Sequence, residues 1–281
     1  MIDRALLLSR VEAAIAEDYV GNVDVTTGPT IPLSQRCIAE FRTRKSGVIS
    51  GIDIAIVVLD RVCKSGYEVI SRISDGNHVG ANVTVLKVAA LTREILIAER
   101  TALNFLSKLS GISTSASNWV AAISGTDAKI RDTRKTTPGW RDLEKYAVLM
   151  GGGVNHRLNL AESALLKDNH IAAVGGIEPA VRAIKSQFPG IRIEVEIDRL
   201  DQLSEAISAG VDEVLLDNMT PEQCSEAVRL TAGRVKLEAS GGITLESVRK
   251  YAETGVDYIA VGAITHSAPI LDIGLDISEV N

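Results

Sequence analysis

Between residues 3 and 17 the apolar side chains Leu6, Leu7, Val11, Ala14 and Ile15 recur at the spacing that lines one face of a helix, and Gly21 with Asn22 ends it. The pattern then changes to alternation. Residues 37–44, 69–73 and 83–89 read as strands with one buried face, separated by turn clusters such as Ser74-Asp75-Gly76-Asn77, while residues 52–62 return to helical spacing. A small α+β layer domain is therefore expected over residues 1–111. It closes with a long helix that Thr92 caps and that Ser110-Gly111 stops after Leu109.

Beyond Gly111, short β-branched runs at 128–131, 165–166, 191–197, 211–216, 235–239 and 257–261 alternate with helical segments, the signature of βαβ units and a parallel sheet. Thr220-Pro221-Glu222-Gln223 is a capping box with proline at the first helical position, and Thr244 offers a second N-cap. An α/β barrel over residues 112–267 is the economical reading. A doubly wound open sheet is the alternative, but no G-x-G-x-x-G follows an early strand.

In barrels the chemistry lies at the C-terminal ends of the strands, which selects Asp132, Lys167, Glu196, Asp217, Glu238 and Gly262. A ring of structural ion pairs would account for any one of these charges; the set as a whole favours a ligand. Ser240-Gly241-Gly242 and Gly262-Ala263 follow the last two strands, where barrel phosphate sites are built from backbone N–H groups. The densest basic stretch, residues 132–170, holds Thr133, Arg134, Lys135, His156, Arg157 and Lys167 among threonines and glycines. Guanidinium forks and ammonium groups there suit a small, strongly anionic substrate. His156 and His266 are the histidine candidates; His78 reads as a surface turn residue and His170 as loop packing. No His or Cys pair has zinc spacing, and Glu196 with Asp217 suggests Mg²⁺ held by oxygen.

Composition narrows the alternatives. With 281 residues, 46% of them hydrophobic, the chain has ample material for a buried core. A net charge of -6 and only 4% aromatic residues speak against nucleic acid as a partner, and no apolar run approaches the ~20 residues of a membrane span. Cys37, Cys63 and Cys224 are odd in number and far apart, so the expected setting is the reducing cytoplasm.

Several motifs together resemble the quinolinate phosphoribosyltransferase family. They are residues 99–106, Asp132-Thr133-Arg134-Lys135-Thr136-Thr137-Pro138-Gly139, Gly151-Gly152-Gly153-Val154-Asn155-His156-Arg157, Lys167-Asp168-Asn169-His170, Glu238-Ala239-Ser240-Gly241-Gly242 and Thr265-His266-Ser267. One departure is Val23, where the family pattern has glycine before Asp24. The resemblance implies an N-terminal α/β sandwich joined by the tail, residues 268–281, and an incomplete TIM-like barrel. It implies phosphoribosyl transfer from phosphoribosyl pyrophosphate (PRPP) to quinolinate with decarboxylation, using Mg²⁺. It also implies a homodimer with a shared active site, free to assemble further, in which Arg100 completes its neighbour's site. On this reading Arg100, Thr133, Arg134, His156, Arg157 and Lys167 hold quinolinate. Lys135, Glu196, Asp217, Ser240, Gly241, Gly242, Gly262 and His266 hold PRPP, with Glu196 and Asp217 on the metal. The rivals are a relative of the same fold with another acceptor, a Schiff-base aldolase using Lys167, and a phosphosugar sensor without turnover.

Overall fold

Asp3 accepts a hydrogen bond from Leu6 N at 2.9 Å and so caps the first helix, α1 (Arg4–Asp18), which buries Leu7 and Val11 and leaves Leu6 facing solvent. The computed structural model describes residues 2–280, the side chains of 278–280 excepted. After α1 come α2 (Thr27–Thr30), β1 (Arg36–Thr43), β2 (Gly47–Val48), α3 (Ile52–Val62), β3 (Glu68–Arg72), β4 (His78–Val79) and β5 (Thr84–Leu91). Val23 has φ −116°, a conformation open to any residue, and Asp24 still caps the turn beyond it by accepting from Thr26 N and Thr27 N. Glycine is not required there. The strands pair antiparallel, β1 with β5 and β5 with β3.

Helix α4 (Thr92–Ala122) runs well past the stop expected at Ser110-Gly111. A mid-helix glycine costs only about 0.5–1 kcal/mol, and this helix buries Ala98, Ala102, Leu106, Leu109, Ile112 and Ala116 along its length. Gly111 answers a contact instead of a terminus. A Cβ there would stand 2.2 Å from the carbonyl oxygen of Pro269.

The strand and helix alternation follows: β6 (Lys129–Arg131), α5 (Arg141–Met150), β7 (Ala164–Leu166), α6 (Asp168–Val174), α7 (Ile177–Gln187), β8 (Ile193–Ile197), α8 (Leu203–Ser208), β9 (Glu213–Asp217), α9 (Pro221–Thr231), β10 (Lys236–Ser240), α10 (Val248–Ala252), β11 (Tyr258–Ala260) and α11 (Ala263–His266). The strands form one parallel sheet in the order β6-β11-β10-β9-β8-β7. The first strand thus pairs with the last, as in a closed barrel and unlike a doubly wound sheet. Val154 makes a single parallel bridge to Arg131 on the other edge of β6, and no ladder among the described residues joins it to β7. The barrel is incomplete at that seam.

The capping box at Thr220 forms as expected, with Thr220 and Gln223 side chains bonding each other's backbone. Thr244 does not cap α10. It heads a turn whose carbonyl accepts from Ser247 N and Val248 N, so the helix starts one turn later.

The last strand, β12 (Ile273–Val280), pairs antiparallel with β1. Two units emerge. Met1–Ser117, Asp142–Gly152 and Ala268–Asn281 make one, and Asn118–Arg141 with Gly153–Ser267 make the other.

Candidate active site

In a strand, alternate residues point to opposite faces. The β8, β9 and β10 residues Ile193, Val195, Ile197, Val214, Leu216, Leu237 and Ala239 are buried on the outer face. The opposite face, which is the lumen, therefore carries Glu194 and Glu196, Glu213 and Asp217, Glu238 and Ser240, with Arg131 from β6 and Tyr258 from β11. Barrel lumens are ordinarily filled by branched apolar side chains. This one is ionic.

The deeper layer is a closed charge network. Arg131 Nη1 lies 2.9 Å from Glu213 and 2.6 Å from Glu238, and its guanidinium stacks 3.4 Å above the Tyr258 ring. Arg192 pairs with the same Glu213. Glu238 is completely buried, and burial followed by the charge of Glu194 pushes its carboxyl up to about 7, against the pull of Arg131. Glu238 and Asp132, expected at the mouth, are internal. Glu238 lies in mid-strand, and Asp132 is fully buried with one oxygen accepting from His156 N at 2.8 Å. In the sequence Arg131 heads the basic stretch without a role of its own, and Glu194 and Glu213 are not among the expected site residues. For Glu194 a signal lies in Ile193-Glu194-Val195-Glu196-Ile197, where charge alternates with buried apolar residues.

Arg157 borders this network, lining one cavity with Arg131, Glu194 and Glu213. Arg134 Nε and Arg157 Nε are buried without hydrogen-bond partners. Burial, then repulsion from Arg134, holds the Arg157 guanidinium below its usual range, while Glu194 opposes the shift. Two guanidinium groups close enough to repel, each with an unused donor, form a place for a dianion. Lys167 follows β7, is half exposed, and pairs with Glu196 at 2.5 Å. An aldolase lysine needs desolvation; Lys167 is half exposed and ion-paired. His156 sits lower, its Nε2 2.9 Å from Glu194.

A cavity of about 490 Å³ opens beside the strand ends, lined by Thr133, Lys135, Asp217, Ser240, Gly241, Gly242, Gly262 and His266. Gly241 is there of necessity: it has φ +93°, and a Cβ on it would meet Asn218 Oδ1 at 2.2 Å. Gly262 has an ordinary φ of −67°, and a Cβ on it would press within 3.0 Å of Lys135 Cδ and 3.3 Å of the His266 ring. The Thr133 hydroxyl accepts from Lys135 N at 3.0 Å, and the Thr265 hydroxyl donates to Lys135 O at 2.8 Å, which fixes the Lys135 backbone beside the cavity.

Apart from Arg100, every expected site residue lies in the barrel unit. Arg100 is exposed on α4 in the other unit. Among the described residues, His156, Glu194 and Glu238 are the group of three side chains that converges as metal ligands do.

Comparison with known proteins places this geometry. Residues 24–110 match the family described as quinolinate phosphoribosyl transferase, N-terminal domain, and residues 112–276 match its C-terminal domain. The chain is 48% identical over 271 residues to nicotinate-nucleotide pyrophosphorylase (carboxylating) of Mycobacterium leprae strain TN, covering 95% of each chain. It is 40% identical to the probable enzyme of that name from Bacillus subtilis strain 168, over 93% of this chain and 90% of the relative. The solved structure of the nicotinate-nucleotide pyrophosphorylase from Francisella tularensis superposes with a TM-score of 0.95 at 37% identity, covering 99% of this chain and 98% of that one.

Proposed function

Since the chain belongs to the quinolinate phosphoribosyltransferase family, we propose a division of labour for its own residues in that family's reaction. The enzyme is a pentosyltransferase of de novo NAD synthesis: it moves phosphoribosyl from PRPP to quinolinate and releases pyrophosphate and CO₂. The observation that carries our assignment is the pair Arg134 and Arg157, half-buried, mutually repelling and each with a buried Nε that has no hydrogen-bond partner, in the same unit as a glycine-floored cavity.

Quinolinate has two adjacent carboxylates. Arg134, Arg157 and Lys167 are assigned to them, with Thr133 and His156 in the same wall and Arg100 supplied by a second subunit of a homodimer. PRPP takes the cavity. Its 5′-phosphate lies against Ser240, Gly241, Gly242, Gly262 and His266, and Lys135 reaches the pyrophosphate. The pyridine nitrogen then bonds to C1′ as the C1′ bond to pyrophosphate breaks. Positive charge grows on the ribose ring, and the carboxylates of Glu196 and Asp217 are placed to stabilise it. The adjacent carboxylate leaves as CO₂, its bonding electrons remaining on the ring carbon beside the new pyridinium nitrogen, and that carbon then takes a proton. Positioning and charge neutralisation are the work left to the protein.

Glu196 and Asp217 are oxygen donors on lumen positions of neighbouring strands, and among the described residues no third ligand side chain converges on them. That fits Mg²⁺, which commonly takes one or two carboxylates and completes its shell with substrate oxygens and water. Bound there it would neutralise the departing pyrophosphate. No described helix is long and apolar enough to cross a membrane, and the three cysteines are free and buried. Both observations support the cytoplasmic setting in this reading.

The test is acceptor choice. With PRPP and Mg²⁺, quinolinate should yield equal amounts of CO₂ and pyrophosphate while nicotinate yields neither. Turnover of nicotinate at a comparable rate would replace this reading with that of a relative using another acceptor.

A further inference from the structure

We infer that His156 acts on quinolinate through Arg157 and not as one of the direct cationic ligands: it is a positioning residue, clamped into the ionic lumen by Glu194. The inference rests on the reading of Arg134 and Arg157 as the dicarboxylate grip.

Three hydrogen bonds fix the residue. Its backbone N–H donates to Asp132 Oδ1 at 2.8 Å, its Nδ1 accepts from Arg157 N at 2.9 Å, and its Nε2 lies 2.9 Å from Glu194 Oε2. A backbone N–H can only donate, so Nδ1 carries no proton and the ring's one proton is on Nε2, directed at Glu194. The ring is therefore neutral in this arrangement. Its polar edges point into the protein, where the imidazole side chain is only 9% exposed. Glu194 Oε1 and Glu238 Oε1 are buried without hydrogen-bond partners, and the latter stands 3.7 Å from the same Nε2. Two carboxylates thus face the ring proton from β8 and β10. What the ring delivers is geometry. It holds the main chain at Arg157, whose Nη1 is tied to Ser163 O at 2.7 Å. A guanidinium pinned at its backbone and at one terminal nitrogen presents its remaining donors in one direction, so releasing it weakens the grip on the carboxylates.

Two measurements on the full chain test this. Histidine-selective ring ¹⁵N–¹H correlation spectra at pH 7 should show His156 as the neutral Nε2–H tautomer, identified among the four histidines by its loss in His156→Gln, and unchanged at saturating quinolinate. A doubly protonated ring in the complex, or an Nδ1–H tautomer, would overturn the inference. In kinetics, Glu194→Ala should raise the KM for quinolinate at least tenfold with kcat and the PRPP KM within threefold, and Glu194→Gln, which keeps an acceptor oxygen, should recover most of the loss. An unchanged quinolinate KM in Glu194→Ala, or equal loss in both variants, would count against it. If Glu194→Ala does not fold, the wild-type spectra decide. A wild-type chain inactive on quinolinate would remove the functional reading while the ring tautomer remained measurable, so the two failures are distinct.

Discussion

Lys167 Nζ and Glu196 Oε2 lie 2.5 Å apart, joining the ends of neighbouring parallel strands. The lysine is assigned to quinolinate and the glutamate to the ribose and metal, so without ligands each satisfies the other. Substrate binding must part them.

Glu196→Gln should therefore separate binding from turnover. With its partner's charge removed, Lys167 is available to the dicarboxylate, and the Kd for quinolinate should fall severalfold by calorimetry. Turnover should fall at least 100-fold, because a carboxylate facing the developing positive charge is gone. Weaker quinolinate binding in this variant would show that the pair orients the lysine instead of masking it.

The buried Glu238 predicts a pH dependence of stability. Its folded carboxyl is raised to about 7 from an ordinary value near 4.5. Between those values the folded chain holds a proton that the unfolded chain has released, so this group's contribution to stability is complete below about 4.5 and is lost as pH rises to about 7. At 1.36 kcal/mol per unit the loss is about 3 kcal/mol. Urea midpoints measured at pH 5 and 7.5 should differ less in Glu238→Gln than in wild type. An identical pH slope in the two proteins would mean that Glu238 does not titrate in this window.

Gly262→Val should act on one substrate. The new side chain meets Lys135 and the His266 ring, so the KM for PRPP should rise at least tenfold while the Kd for quinolinate stays within twofold. A comparable loss for both ligands would indicate that the cavity and the arginine pair collapse together.

Arg100→Ala and Lys167→Ala should each be inactive, and subunits of the two, mixed and exchanged, should regain activity. On the proposed shared site, with Arg100 coming from the second subunit, a heterodimer can combine the intact copy of each in one site. Confirmed heterodimers without recovered activity would argue against a shared site.

Much was legible before any coordinates. Periodicity points to a small α+β layer domain followed by an α/β barrel, because spacing along the chain is set by the local geometry of helix and strand. Residue type points to anion chemistry at Arg134, Lys135, Arg157 and Lys167 and to phosphate loops at Gly241 and Gly262, because guanidinium forks and side-chain-free backbone have few other uses together. Tertiary structure alone decided where helix α4 ends, since Gly111 is explained by a carbonyl more than 150 residues away in the chain. It alone also sorted the carboxylates. Glu194, Glu196 and Glu238 look alike in sequence, yet strand register and depth send Glu196 to the mouth and seal Glu194 and Glu238 beneath His156. The chemistry of a side chain is local and is written in the chain; its charge state and its partners depend on which distant groups the fold brings within about 4 Å, and no spacing rule along the sequence contains that distance.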